Sequence, residues 1–159
     1  MSAPPAPPLP IAGSVTFLYT RDLAATLPFY RDLLGLPQVG DQRVEEGEGS
    51  RIFRTGPSSF LGLCSLAHRS VEPGGVVVTM ISPDVDGWYA RLKQAGADLL
   101  DPPRYSPRFR VYGFFVRDPN GYLIEFQSFR DSGWRGVGSR ARLWMASDAC
   151  PLLGRGLVG

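Results

Sequence analysis

A chain of 159 residues with 43% hydrophobic and 20% charged residues has the composition of one soluble domain with a real core, not of a disordered or fibrous chain. The formal charge is +2, and from Arg130 onward five Arg stand against two Asp, so the slight basicity belongs to the C-terminal stretch. Nothing in the sequence resembles a basic groove with interleaved aromatics, and no apolar run approaches a membrane span, which argues against nucleic acid and membrane as partners.

The opening "MSAPPAPPLPIAG", residues 1–13, has neither the charged start nor the long apolar run of a secretory signal and reads as a flexible Pro-rich arm. Two cysteines, Cys64 in a strand-like run and Cys150 near the end, are no disulfide framework for a chain of this size. Together these features predict a reduced, cytoplasmic protein.

From Ser14 the chain shows an internal repeat. "SVTFLYTRDLAATLPFYRDLLGL" and "GVVVTMISPDVDGWYARLKQAGA" each give a β-rich run, an Asp before an apolar residue, and a helical pattern closed by Gly. Asp22 is placed to cap a helix that presents Leu23, Leu27, Tyr30, Leu33 and Leu34 on one face and stops at Gly35. Asp84, Val85, Trp88, Tyr89, Leu92 and Gly96 repeat that plan. Pro28 interrupts the first helix pattern, where it is either tolerated early in the helix or kinks it.

Three strand-like segments follow each helix: "QVGDQRV", "SRIFRTG" and "FLGLCSL" after the first, "ADLLD", "RVYGFFVRD" and "YLIEFQSF" after the second. Asn120-Gly121 between the last two is a hairpin signal in which both positions favour positive φ. The chain thus reads as two βαβββ modules of an α+β fold, about 14–66 and 75–130, with residues 131–159 as a Gly- and Arg-rich extension carrying a short helical pattern around "SRARLWMA".

"RDPNGYLIEFQSF" sets a carboxylate, Glu125, inside an apolar strand, where it needs a partner, a proton, a metal or solvent. Period-two alternation, with Val15, Leu63, Val77 and Glu125 taken as inward, adds Phe17 and Tyr19, Leu61, Thr79 and Ile81, and Leu123 and Gln127 to one face. Neighbouring strands are expected to contribute Phe53, Tyr112 and Phe114. Such a greasy, aromatic surface with a few polar handles has the composition of a small-molecule site. The alternative is a filled core with Glu125 paired to Arg54 or Arg110. Arg104, Arg108 and Arg110 are read as solvated rim charges, the alternative being guanidinium groups that receive a carboxylate or phosphate of a ligand. Cys64 and His68, four residues apart on a strand entering a loop, do not face one another as a nucleophile and base would, and Cys64 is expected as a packed thiol on the face opposite Leu63.

The β-run with "RDL", the "PFYRDLLGL" helix end, the "DVDGWYARLKQAGA" helix and above all "VRDPNGYLIEFQSF" resemble the vicinal oxygen chelate superfamily, which includes glyoxalase I, bleomycin-resistance proteins and extradiol dioxygenases. The resemblance covers Ser14 to Phe129 and implies two modules forming a curved, eight-stranded mixed sheet around a cavity, commonly in a homodimer. In metal-using members four strand positions supply His or Glu ligands, which match Val15, Leu63, Val77 and Glu125 here, and three of the four are apolar. The resemblance therefore implies no metal and no cofactor, and a protein of the sequestration or resistance type that binds a small, partly apolar molecule. The alternative within the superfamily is an enzyme, either metal-free with Glu125 as general base or a metal-dependent lyase or dioxygenase.

Overall fold

The computed structural model describes residues 12–44 and 47–130. Most of the Pro-rich arm, the "SRARLWMA" helix pattern, Trp134, Trp144 and Cys150 lie outside the described residues. The chain divides between Glu72 and Pro73 into two compact units.

The first unit runs β1 (Ser14–Tyr19), α1 (Leu23–Pro28), β2 (Gln38–Arg43), β3 (Gly49–Arg54) and β4 (Ser59–Ser65). Its sheet has the order β1-β4-β3-β2, with β1 parallel to β4 and the other pairs antiparallel. The Asp22 carboxylate accepts the Ala25 N–H at 3.1 Å, as an N-cap does. Thr20 and Thr26 join hydroxyls at 2.7 Å beneath this first turn, both buried. Pro28 ends α1, because a residue without an N–H cannot continue the hydrogen-bond ladder. Phe29–Leu33 then winds as a π-turn, with the Leu34 N–H reaching back to the Phe29 carbonyl at 2.9 Å, and Gly35 closes it at φ 67°.

The second unit repeats the plan with β5 (Val77–Ile81), α2 (Val85–Gln94), β6 (Asp98–Leu99), β7 (Arg104–Ser106), β8 (Val111–Arg117) and β9 (Leu123–Phe129). Strand order is β5-β9-β8-β6, β5 is parallel to β9, and β7 pairs with β8 further along its edge. The described strands are therefore nine where eight were expected: the segment between α2 and β8 pairs with β8 in two short pieces, 98–99 and 104–106, separated by Pro102-Pro103. The β8–β9 turn also differs from a two-residue Asn-Gly hairpin. Only Gly121 has positive φ, at 93°, and the loop spans 118–122. The buried Asp118 carboxylate holds it by accepting the N–H groups of Asn120 at 2.9 Å and Tyr122 at 2.8 Å.

In each unit the helix selects one sheet face. Tyr30, at the end of the first helical segment, stacks on Phe53 of β3 with ring centroids 6.2 Å apart. In the second unit Trp88 lies against Phe126 and Tyr89 edge-on to Phe114, at 4.9 and 5.3 Å, and the Tyr112 hydroxyl donates to Asp86 of α2 at 2.7 Å. Cross-strand partners share a face, so the register extends these contacts to the rest of each sheet. Phe53 pairs with Leu61, and Leu18 with Leu63, which puts all four on the helix face; Phe114 pairs with Phe126 and Val116 with Ile124 on theirs. All are among the most buried side chains of the described residues, none above 3%.

This corrects half of the expected face. Phe53, Leu61, Leu63, Tyr112 and Phe114 do not join Phe17, Tyr19, Thr79, Glu125 and Gln127; they are core or helix-contact residues on the opposite side of their sheets. The cause is a one-residue offset. Phe17 and Thr79 both lie five residues before their helix caps, Asp22 and Asp84, and their parallel partners are Gly62 and Glu125. Gly62, not Leu63, holds the place of Glu125, and a shift of one residue turns every side chain of a strand to the other face.

The two faces predict unequal mutational costs. Leu63→Ala should destabilise the protein by about 2–5 kcal/mol by leaving a cavity under the helix. Phe17→Ala, at a ring 46% exposed, should cost less than about 1 kcal/mol. Chemical denaturation of both variants measures the difference, and equal losses would mean that the face assignment is wrong.

Candidate functional site

Each sheet has a far face, turned away from its own helix, and the two differ in chemistry. On the first sheet Val15, Phe17 and Tyr19 of β1 lie beside Phe60, Gly62 and Cys64 of β4. A Cβ at Gly62 would collide with the Phe17 ring, which would have to move aside. Arg69 sits 5.8 Å above the Tyr19 ring and Arg54 sits 5.4 Å above Phe60, cation–π contacts that occupy both guanidinium groups. Ser50, paired with Cys64, donates its hydroxyl to Gln42 at 3.0 Å.

Cys64 does point away from Leu63, as expected, but the face it points to is the far one, where it is half-buried. Burial is the main cause that pushes its thiol pKa up, and the negative charge of Glu48 adds to it. Such a thiol is a poor nucleophile near neutrality, because the thiolate is the reactive form. His68 is exposed in the loop after β4 and is no partner in a dyad with it on the same strand.

The far face of the second sheet carries the carboxylate. Thr79 of β5 and Phe115 of β8 flank Glu125 on either side in direct register. The Thr79 hydroxyl donates to Glu125 Oε2 at 2.8 Å. Val77, Ile81 and Leu123 extend an apolar surface around this pair, and Val77 is 49% exposed. Gln127, one step along β9, is buried at the same face opposite Gly113, where a Cβ would come within 2.6 Å of the Phe126 carbonyl oxygen. Within the second unit the partner of Glu125 is the Thr79 hydroxyl and not an arginine. Arg110 precedes β8 in a turn, at φ 54°, with its N–H on the Ser106 carbonyl.

A divalent metal needs several nitrogen or oxygen donors. The ligand positions implied by resemblance supply two valines, Glu125 and, after the register correction, a glycine in place of Leu63. Those side chains do not fit a metal, and among the described residues no group of three or more His, Cys, Asp and Glu is arranged to hold one. Sequence reasoning missed Phe115, Gly62 and Cys64 as far-face residues. Gly62 was findable, since a glycine inside a strand pattern marks a close approach. Phe115 was not, because the length of the 118–122 turn decides which residue of β8 faces Glu125.

A family model described as the Glyoxalase/Bleomycin resistance protein/Dioxygenase superfamily matches residues 12–126. Among solved structures, the chain is similar to a glyoxalase/bleomycin resistance protein/dioxygenase from Nocardioides, with 25% identity over 80% of this chain and 89% of the other at a TM-score of 0.60. A lactoylglutathione lyase from Agrobacterium tumefaciens is 25% identical over 77% and 95% of the two chains, at a TM-score of 0.59. TioX from Micromonospora sp. ML1, 22% identical over 73% and 97% at a TM-score of 0.60, shares the fold. No curated protein matches the chain. Among the described residues no helix is long and apolar enough to cross a membrane.

Two outcomes follow from the donor set and the thiol. Protein incubated with Zn²⁺, Ni²⁺, Mn²⁺ or Fe²⁺ and then dialysed should retain no stoichiometric metal by elemental analysis; one tightly held ion per chain that disappears in Glu125→Ala would refute this account of the site. In a Cys150→Ser background, Cys64 should be alkylated by iodoacetamide slowly at neutral pH, with its half-maximal rate at higher pH than a free cysteine in a short peptide. The sign follows from the raised pKa, which lowers the thiolate fraction at any given pH, and Glu48→Gln should accelerate the reaction by removing the nearby charge.

Proposed function

Because the chain belongs to the glyoxalase/bleomycin resistance protein/dioxygenase superfamily, we propose that it binds a small, partly apolar molecule against the far face of its second sheet and does so without a metal. The observation that carries this reading is Glu125: a carboxylate set among Val77, Ile81, Leu123 and Phe115 whose partner is one hydroxyl. A carboxylate offers about four acceptor sites, so most of its hydrogen-bonding capacity is left for solvent or a ligand. Large apolar side chains left open on strands support the same reading. Phe17 at 46% and Val77 at 49% exposure are surfaces that a stable domain ordinarily covers or uses. In this reading Thr79, Phe115, Glu125 and Gln127 of the second sheet contact the ligand; Tyr112 and Phe114 support that sheet from the helix side, as Phe53, Leu61 and Leu63 support the first.

The family spans binding and catalysis, and a fold does not choose between them. Sequestration is the reading favoured here, since neither a metal-ligand set nor a nucleophile–base pair is assembled at the far faces.

A thermal-shift screen with neutral, cationic and anionic aromatic compounds tests it. At least one compound class should raise the melting temperature of the wild type. Glu125→Gln should melt close to the wild type without ligand, yet bind the best compound about tenfold to a hundredfold more weakly, since a charge-assisted bond is worth roughly 1.5–3 kcal/mol. A large fall in the melting temperature of unliganded Glu125→Gln, with no compound shifting the wild type, would return Glu125 to a purely structural role. Mass-spectrometric conversion of a bound compound would identify an enzyme instead of a sequestering protein.

A further inference from the structure

The charges on the far face of the second sheet say which ligands it selects. Register places two arginines on the Glu125 side, Arg104 opposite Gly113 and Arg117 opposite Leu123. Each has an aspartate beside it: Arg104 lies 4.0 Å from Asp101, and Arg117 lies 3.8 Å from Asp98, which pairs with it across the β6–β8 edge. Within this unit no described Lys or Arg forms an ion pair with Glu125. The cations of this face are thus matched by acids at its margin, and the carboxylate at its centre is matched only by a neutral hydroxyl.

The neighbour directly across β8 from Glu125 is the half-buried Phe115. An aromatic ring presents a negative face and attracts a cation, so ring and carboxylate favour the same sign of ligand charge. An anion placed there meets the carboxylate, while the arginines of this face stand beside aspartates of their own, and a neutral alcohol gains one ordinary hydrogen bond where an ammonium group brings up to three charged donors. Apolar Val77, Ile81 and Leu123 accommodate the hydrocarbon part of such a molecule.

We infer that this site selects protonated organic amines carrying an aromatic or aliphatic body, with Glu125 as the specificity-determining residue and Phe115 as its aromatic neighbour across the strands. The inference rests on the proposed binding function and narrows it to one ligand class.

A matched series separates the two. 2-(2-Naphthyl)ethylamine, 2-(2-naphthyl)ethanol and 2-naphthylacetate share a ring system and differ in the charge of the head group. Their dissociation constants for the full chain are measured by calorimetry, at low and high NaCl. The amine should bind at least about tenfold more tightly than the alcohol, the acetate should bind most weakly, and added salt should weaken the amine and leave the alcohol unaffected. In Glu125→Gln the amine and the alcohol should bind within about twofold of one another, while Phe115→Leu should keep part of the amine's advantage. Circular dichroism melts of both variants exclude unfolding as the cause. If the alcohol or the acetate binds the wild type as tightly as the amine, the inference fails and the binding function stands. If none of the three binds and no compound in the wider screen shifts the melting temperature, the binding function fails and the inference with it.

Discussion

Parallel pairing of the first and last strand in each unit is the constraint on which the rest depends. β1 against β4 and β5 against β9 fix Phe17 over Gly62 and Thr79 beside Glu125, and every other strand inherits its face from those two pairings. A sheet has only two faces and its side chains alternate strictly, so the register of that one pair determines which residues form the core and which face away from it. The helix then removes the ambiguity of direction. Tyr30 on Phe53, and Trp88 and Tyr89 on Phe126 and Phe114, commit one face to packing.

The same repeated plan has produced two different surfaces. At the place where the second unit sets Glu125 next to a threonine hydroxyl, the first unit sets a glycine under a phenylalanine ring. Gly62 and Phe17 stand where a carboxylate and a threonine stand in the other copy, so one sheet offers an aromatic surface and the other a carboxylate. Symmetry of the backbone does not carry symmetry of chemistry, because a site requires only side chains that the core never touches. This is also why one fold serves several activities.

The second register device is the Asp118 turn. Its carboxylate ties down two backbone N–H groups while nearly fully buried, and thereby fixes a five-residue loop between Arg117 and Leu123. A two-residue turn at Asn120-Gly121 would pair β8 and β9 differently. Phe115 faces Glu125 because this loop has the length it has. A polar side chain in the turn thus decides which aromatic residue stands next to Glu125.

Much of this protein was legible in its sequence. Asp22 and Asp84 as caps, Gly35 and Gly96 as left-handed stops and the twofold repeat of strand and helix patterns arise from local chemistry: short-range hydrogen bonds, permitted φ angles and periodicity. Each acts within a few residues and leaves its mark in the residues themselves. Glu125 and its threonine-bearing neighbour strand were legible for the same reason, since a charge in an apolar run stands out wherever the strand lies. What the tertiary structure alone decided is the side of the sheet. Period-two alternation identifies two sets of residues on every strand and does not say which set of one strand adjoins which set of the next. Leu63 and Gly62 are equally good candidates until β1 is laid beside β4, and Phe114 and Phe115 until the turn length is known. Cross-strand register is a long-range property, set by turn geometry and by the packing of each helix on its sheet, and no local pattern in a single sequence encodes it.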